Sequence, residues 1–148
     1  MRIFKERTQW FDIPDDPDKG RLKIRYLNPG EQQRFVAKCR KLSFIFNEDT
    51  DTKEGHMVPD ENRLTEDGVD LRVIDWENFY GEDGKKLECN RENKIKINDL
   101  DGFSDILKGL IKDLDTMVKE ERELEVKNLP NSHGGSPVLT ASPAKNVS

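Results

Sequence analysis

Leu71-Arg72-Val73-Ile74-Asp75-Trp76-Glu77-Asn78-Phe79-Tyr80-Gly81-Glu82-Asp83-Gly84-Lys85-Lys86-Leu87 is the stretch on which the reading of this chain turns. Trp76, Phe79 and Tyr80 fall close together, after the apolar pair Val73-Ile74 and before the turn signal Glu82-Asp83-Gly84. A large side chain that becomes fully buried contributes on the order of 2–3 kcal/mol. Ile74, Trp76 and Phe79 are therefore expected to form the structural core, with Leu87 returning to it after the turn. Asp75 and Glu77 alternate with Trp76 and are expected to face water. Beyond the turn, Asn90-Arg91-Glu92-Asn93 reads as a helix start with Asn90 as its cap.

Upstream, Leu22, Ile24 and Tyr26 alternate with Arg21, Lys23 and Arg25, the period of two of a strand with one face buried and one solvated. The strand is expected at a solvated edge of an antiparallel sheet. Asn28-Pro29-Gly30-Glu31 then supplies an N-cap, a proline suited to the first helical position and an acid able to reach back to the cap. The helix that follows is expected to carry Phe35, Val36, Cys39 and Leu42 on one face. Ser43-Phe44-Ile45-Phe46 continues the apolar run as a last helical turn or a short strand. Residues 47–62 read as a solvated loop. Aligned as a calcium loop from Asp49, they put Lys53 at an oxygen-ligand position and Glu54 at the glycine position, so the motif fails. Leu64 to Leu71 reads as a short helix.

Downstream, Phe103, Ile106, Leu107, Leu110, Ile111, Leu114, Met117 and Val118 recur at helical spacing, giving a long helix from about Asp101 to Val126. From Asn128 the chain turns to Pro, Gly, Ser and Thr, a composition expected to be disordered. The expected organisation is an N-terminal arm at 1–19, one domain at 20–127 and a tail at 128–148. In the arm, Trp10 and Phe11 either anchor on the core or offer a contact point. The fold class is α+β: a small antiparallel sheet, three to four helices and a disordered C-terminal tail.

Composition narrows the function classes. The chain has 148 residues, 33% hydrophobic and 37% charged, with net charge -5. Globular proteins average about 45–50% apolar and about 25% charged, so parts of this chain contribute little to a core. Interspersed acids and bases argue against nucleic acid as a partner, and no apolar run reaches the roughly 20 residues of a membrane span. The start is charged and lacks the apolar stretch of a secretory signal. Cys39 and Cys89 have no CxxC partner and read as free buried thiols in a reducing compartment. Phosphate-binding glycine loops, HExxH and GxSxG are missing, and only His56 and His133 offer imidazoles. No catalytic, cofactor or metal site is expected, and the chain is read as a non-enzyme.

The residues 73–93 carry a family resemblance. The apolar pair Val73-Ile74, then Trp76-Glu77, then Glu82-Asp83-Gly84, then Leu87 and the capped Glu92-Asn93 helix start resemble the small tail assembly chaperones of long-tailed bacteriophages and prophages. Asn78 stands where that family usually has Gly. The layout of residues 20–127 is also similar. The resemblance implies a non-catalytic protein of the bacterial host cytoplasm that binds the phage tape measure protein and helps recruit tail tube protein. A structural head–tail connector or tail component is the alternative, and self-association into a homo-oligomer is compatible with either. A holder of other chains needs an exposed apolar surface. Two candidates stand out: the helix face of Phe103, Leu107, Leu110 and Leu114, and the strand edge of Arg21, Lys23 and Arg25.

Overall fold

The computed structural model describes residues 6–128. Ile3 and Phe4, and residues 129–148 of the tail expected to be disordered from 128, lie outside the described residues, while Asn128 ends a helix. The chain divides into two compact units, Met1–Leu114 and Asp115–Ser148.

In chain order the elements are β1 (Thr8–Asp12), β2 (Arg21–Arg25), α1 (Pro29–Lys38), β3 (Arg40–Asn47), β4 (Thr52–Pro59), α2 (Glu61–Arg72), β5 (Val73–Glu77), α3 (Arg91–Asn98) and α4 (Phe103–Asn128). The protein is α+β, with four helices and two small antiparallel sheets among the described residues. One sheet has the order β1-β2-β5, and the other is the β3-β4 ribbon.

The expected alternation holds in β2, where Leu22 and Ile24 are fully buried. Its position corrects the expectation of an edge: β2 lies at the centre, between β1 and β5. The stretch read as an N-terminal arm supplies β1, which pairs with β2 from Thr8↔Arg25 to Asp12↔Arg21. Phe11 lies opposite Leu22 and so shares its inner face, whereas Trp10 lies opposite Lys23 on the outer face.

β5 solves a spacing problem. Val73 and Trp76 are both buried, yet they are three residues apart, which in a regular strand points them to opposite faces. Opposite β2 the register runs Leu22↔Trp76 and Lys23↔Asp75, then shifts to Ile24↔Val73. Ile74 is the extra residue of a β-bulge, and the bulge returns Val73 to the face of Trp76.

After β5 the chain turns as expected. Gly84 N–H donates to Gly81 at 2.9 Å and Leu87 N–H to Phe79 at 2.8 Å. Trp76 stacks on Phe79 with ring centroids 4.7 Å apart and planes 7° apart, and its indole N–H donates to the Leu87 carbonyl at 2.8 Å. Phe79 meets Phe103 edge to face at 6.4 Å. Of the expected core group, Trp76 and Phe79 are buried, while Ile74 and Leu87 are half-buried. Gly20 is required where it stands: a Cβ there would lie 2.6 Å from Asp16 Oδ2 and 3.0 Å from the Phe79 ring.

Two helix starts follow the sequence, while α2 begins at Glu61, capped by Asp60 and ahead of the expected Leu64. Asn28 and Glu31 form a reciprocal capping box, with the Asn28 side chain accepting from Glu31 N–H at 2.8 Å and Glu31 accepting from Asn28 N–H at 3.2 Å. Asn90 caps α3 by accepting from Asn93 N–H at 2.9 Å. α2 and α3 are clamped by charge: Arg91 reaches Asp67 at 2.6 Å and Asp70 at 3.2 Å, and the buried Lys94 reaches Asp70 at 3.1 Å. Arg91 holds the Asp67 carboxyl below its usual pKa, chiefly through that hydrogen bond.

The largest departure from expectation lies between residues 39 and 60. α1 stops at Lys38, so Leu42 is not on the helix. Residues read as a loop, including His56, form β4, which pairs with β3 along its whole length, from Arg40↔Pro59 to Asn47↔Thr52. A bond from Asp60 N–H to the Cys39 carbonyl at 2.8 Å closes the base of the ribbon. Both cysteines are free; Cys39 is buried and Cys89 half-buried, and burial pushes the Cys89 thiol pKa up.

In the second unit, the described residues are the C-terminal part of α4, dense in charge, with Leu124 and Val126 exposed.

Candidate functional site

The structure moves the candidate surface away from both places expected from sequence. Phe103, Leu107, Leu110 and Leu114 are all buried, so that stripe of α4 belongs to the core. An amphipathic stripe reports that a helix has an apolar side, and here the first unit has covered it. Arg21, Lys23 and Arg25 stand on the outer face of the central strand, where no backbone edge is offered. Arg21 is held by Asp12 and by Glu77, each at 3.0 Å, and its guanidinium lies 5.1 Å from the centre of the Trp10 ring. Arg25 meets Glu6 at 3.3 Å. Arg21 and Arg25 are thus each paired with acids.

Exposed large apolar side chains cluster on the β3-β4 ribbon. Side chains of directly paired residues in an antiparallel ladder share a face. One face therefore carries Arg40 with Pro59, Leu42 with Met57, Phe44 with Gly55, and Phe46 with Lys53. The other carries Lys41 with Val58, Ser43 with His56, Ile45 with Glu54, and Asn47 with Thr52. On the first face Leu42, Phe44, Phe46 and Met57 are 56%, 64%, 54% and 53% exposed. Ile45 is similarly open on the second face.

The order of the ribbon has local causes. Gly55 leaves room for the side chains opposite it: a Cβ there would lie 3.2 Å from Leu42 Cδ1 and 3.5 Å from the Phe44 ring. Arg40 donates to the Met57 carbonyl at 2.9 Å. At the tip, Asp51 takes a left-handed conformation with φ 51°, and the Asn47 side chain accepts from Asp49 N–H at 3.0 Å. These are turn features that Asn and Asp tolerate well.

At its base the apolar face meets an open groove of about 410 Å³ lined by Gln32, Gln33, Val36, Ala37, Arg40 and Pro59. Its polar members carry no acid, so the rim there is neutral to positive. A second cleft of about 440 Å³ lies among Phe35, Leu64, Val69, Leu107 and Ile111, with Arg72 and Lys108 in its lining. Among the described residues no group of three or more His, Cys, Asp or Glu side chains is placed to hold a metal, and no helix is long and apolar enough to cross a membrane.

A signal for the ribbon was present in the sequence. Leu42-Ser43-Phe44-Ile45-Phe46 has alternate large apolar residues, and Asn47-Glu48-Asp49-Thr50-Asp51 is a turn-rich stretch before Met57-Val58. The helical continuation from α1 competed with it. Compared with known protein families, curated proteins and solved structures, the chain matches none of them.

Proposed function

We propose that this protein is a non-catalytic holder of another polypeptide, acting as a tail assembly chaperone of a phage or prophage in the bacterial cytoplasm. It would bind the tape measure protein and help bring tail tube protein to it. The observation that carries the reading is the exposed face of Leu42, Phe44, Phe46 and Met57. Soluble proteins seldom present large contiguous apolar patches without a partner. Aromatic and methionine side chains are favoured in such contacts, because they offer large, adaptable area.

A backbone detail supports the family resemblance. Asn78, standing where the family usually has Gly, has φ 61°. That left-handed conformation is one that Gly adopts without strain and Asn tolerates. Its side chain donates to the Lys19 carbonyl at 2.9 Å and ties the turn to the start of β2.

The test is co-expression with a candidate tape measure protein. The wild-type chain is expected to keep that protein soluble and to co-purify with it. A Phe44→Asp/Phe46→Asp variant, which alters exposed side chains only, is expected to fold and to lose both effects. A long protein that stays insoluble with and without the wild-type chain would overturn the proposal.

A further inference from the structure

We infer that the free edge of β3 pairs antiparallel with β3 of a second copy of this chain, joining two ribbons into one four-stranded sheet centred on Phe44. The backbone sets which groups are available. The bond from Asp60 N–H to the Cys39 carbonyl makes 39/60 a hydrogen-bonded pair. In an antiparallel ladder every second pair is of that kind. With the observed register, Lys41, Ser43, Ile45 and Asn47 therefore bond across to β4. The N–H and C=O groups of Leu42, Phe44 and Phe46 point instead to the open edge, since among the described residues β3 has β4 as its sole neighbour in the sheet.

Such an edge is a template for another strand unless it is blunted by inward charge, proline or a bulge. Between Leu42 and Phe46, β3 has none of these: it contains no charge and no proline, and its pairing with β4 is regular. β4 is protected differently, with Lys53, Glu54 and Pro59 along its length.

Side-chain chemistry chooses the occupant and the register. A two-fold pairing about Phe44 sets Phe44 against the second copy's Phe44 and Leu42 against the second copy's Phe46. Since β3 ends at Asn47, Arg40 then lies beside the second copy's Glu48, the first residue of its turn. All the paired groups on the edge then point at one another, like meets like in the apolar centre, and each end gains a cation beside an acid. Centring one residue earlier, on Ser43, would put Arg40 against Phe46 and lose that match. The pairing uses backbone groups, so it does not rest on what the apolar face holds; it would set two such faces side by side.

Sedimentation and light scattering of the isolated chain test this, with cysteines introduced one at a time along the ribbon, in a Cys39→Ala/Cys89→Ala background, as register markers. The expected result is twice the monomer mass across the micromolar range. Under oxidised glutathione, Phe44→Cys should give a covalent dimer, since paired Cα atoms at a hydrogen-bonded site lie about 5.5 Å apart, within disulfide reach. Ser43→Cys and Lys53→Cys should not. A Leu42→Pro variant removes an outward N–H without touching the β4 ladder and should run as a folded monomer. A wild-type chain that is monomeric throughout would overturn the inference. So would cross-linking at Ser43→Cys, which marks the other register, or at Lys53→Cys, which marks the β4 edge. Failure to solubilise a long partner would leave this result untouched, so the two proposals fail separately.

Discussion

Replacing Trp76 by Ala tests the central packing of the first unit. The side chain is buried, so truncation removes its apolar area and leaves a cavity, a change that costs about 3–5 kcal/mol for a large aromatic. Two contacts account for part of this. The stack on Phe79 at 4.7 Å is of a kind that contributes about 0.5–1.5 kcal/mol beyond area. The indole N–H bond to the Leu87 carbonyl at 2.8 Å is of a kind that contributes about 0.5–1.5 kcal/mol net. For a chain of this size a melting point moves by about 2–4 °C per kcal/mol, so the expected fall is about 6–20 °C. Trp76→Phe keeps a ring over Phe79 and removes only the donor, and should cost about 1–3 kcal/mol. The assay is thermal unfolding followed by circular dichroism and by calorimetry, with both signals required to coincide. A Trp76→Ala melt within 2 °C of wild type, or Trp76→Phe falling as far as Trp76→Ala, would refute the packing argument.

Two further outcomes follow from the geometry. Asn78→Ala should cost about 1–2 kcal/mol, because an ordinary residue is strained at φ 61° and the bond to Lys19 is lost; Asn78→Gly should lose only the bond, and equal melts for the two would show that the conformation costs nothing. Asp67 has a carboxyl pKa lowered by Arg91 from the ordinary 3.8, so its stabilising contribution is present above that value and is lost as pH falls through the lower folded value; Arg91→Gln should flatten the acid side of the stability profile, and an unchanged slope in urea titrations below pH 3.8 would show that the clamp does not couple to folding.

Much of the fold was legible because its signals are local. A capping box needs Asn28 and Glu31 only, and it formed as spelled. The same is true of Asn90 at the start of α3 and of the turn at Gly84, which takes φ 75°. The helical repeat from Phe103 and the alternation in β2 were likewise visible, since each residue's face is set by the backbone period. The candidate site was harder to see. Its apolar residues were visible, but the element that carries them was not, because β3 follows one residue after α1 and the apolar spacing through Leu42 suits either structure.

By itself, then, the sequence determined the starts of α1 and α3, the buried face of β2, the aromatic centre at Trp76 and the class of the fold. Only tertiary structure decided that residues 8–12 join the sheet and move β2 from edge to centre. It also decided that the apolar face of α4 from Phe103 to Leu114 is buried while that of β3 stays open. The reason is physical: periodicity records which side of an element is apolar, and what covers that side depends on segments distant in the chain. For Trp76 the bulge at Ile74 makes the same point, since the strand could place Trp76 and Val73 together only by breaking its own period against β2.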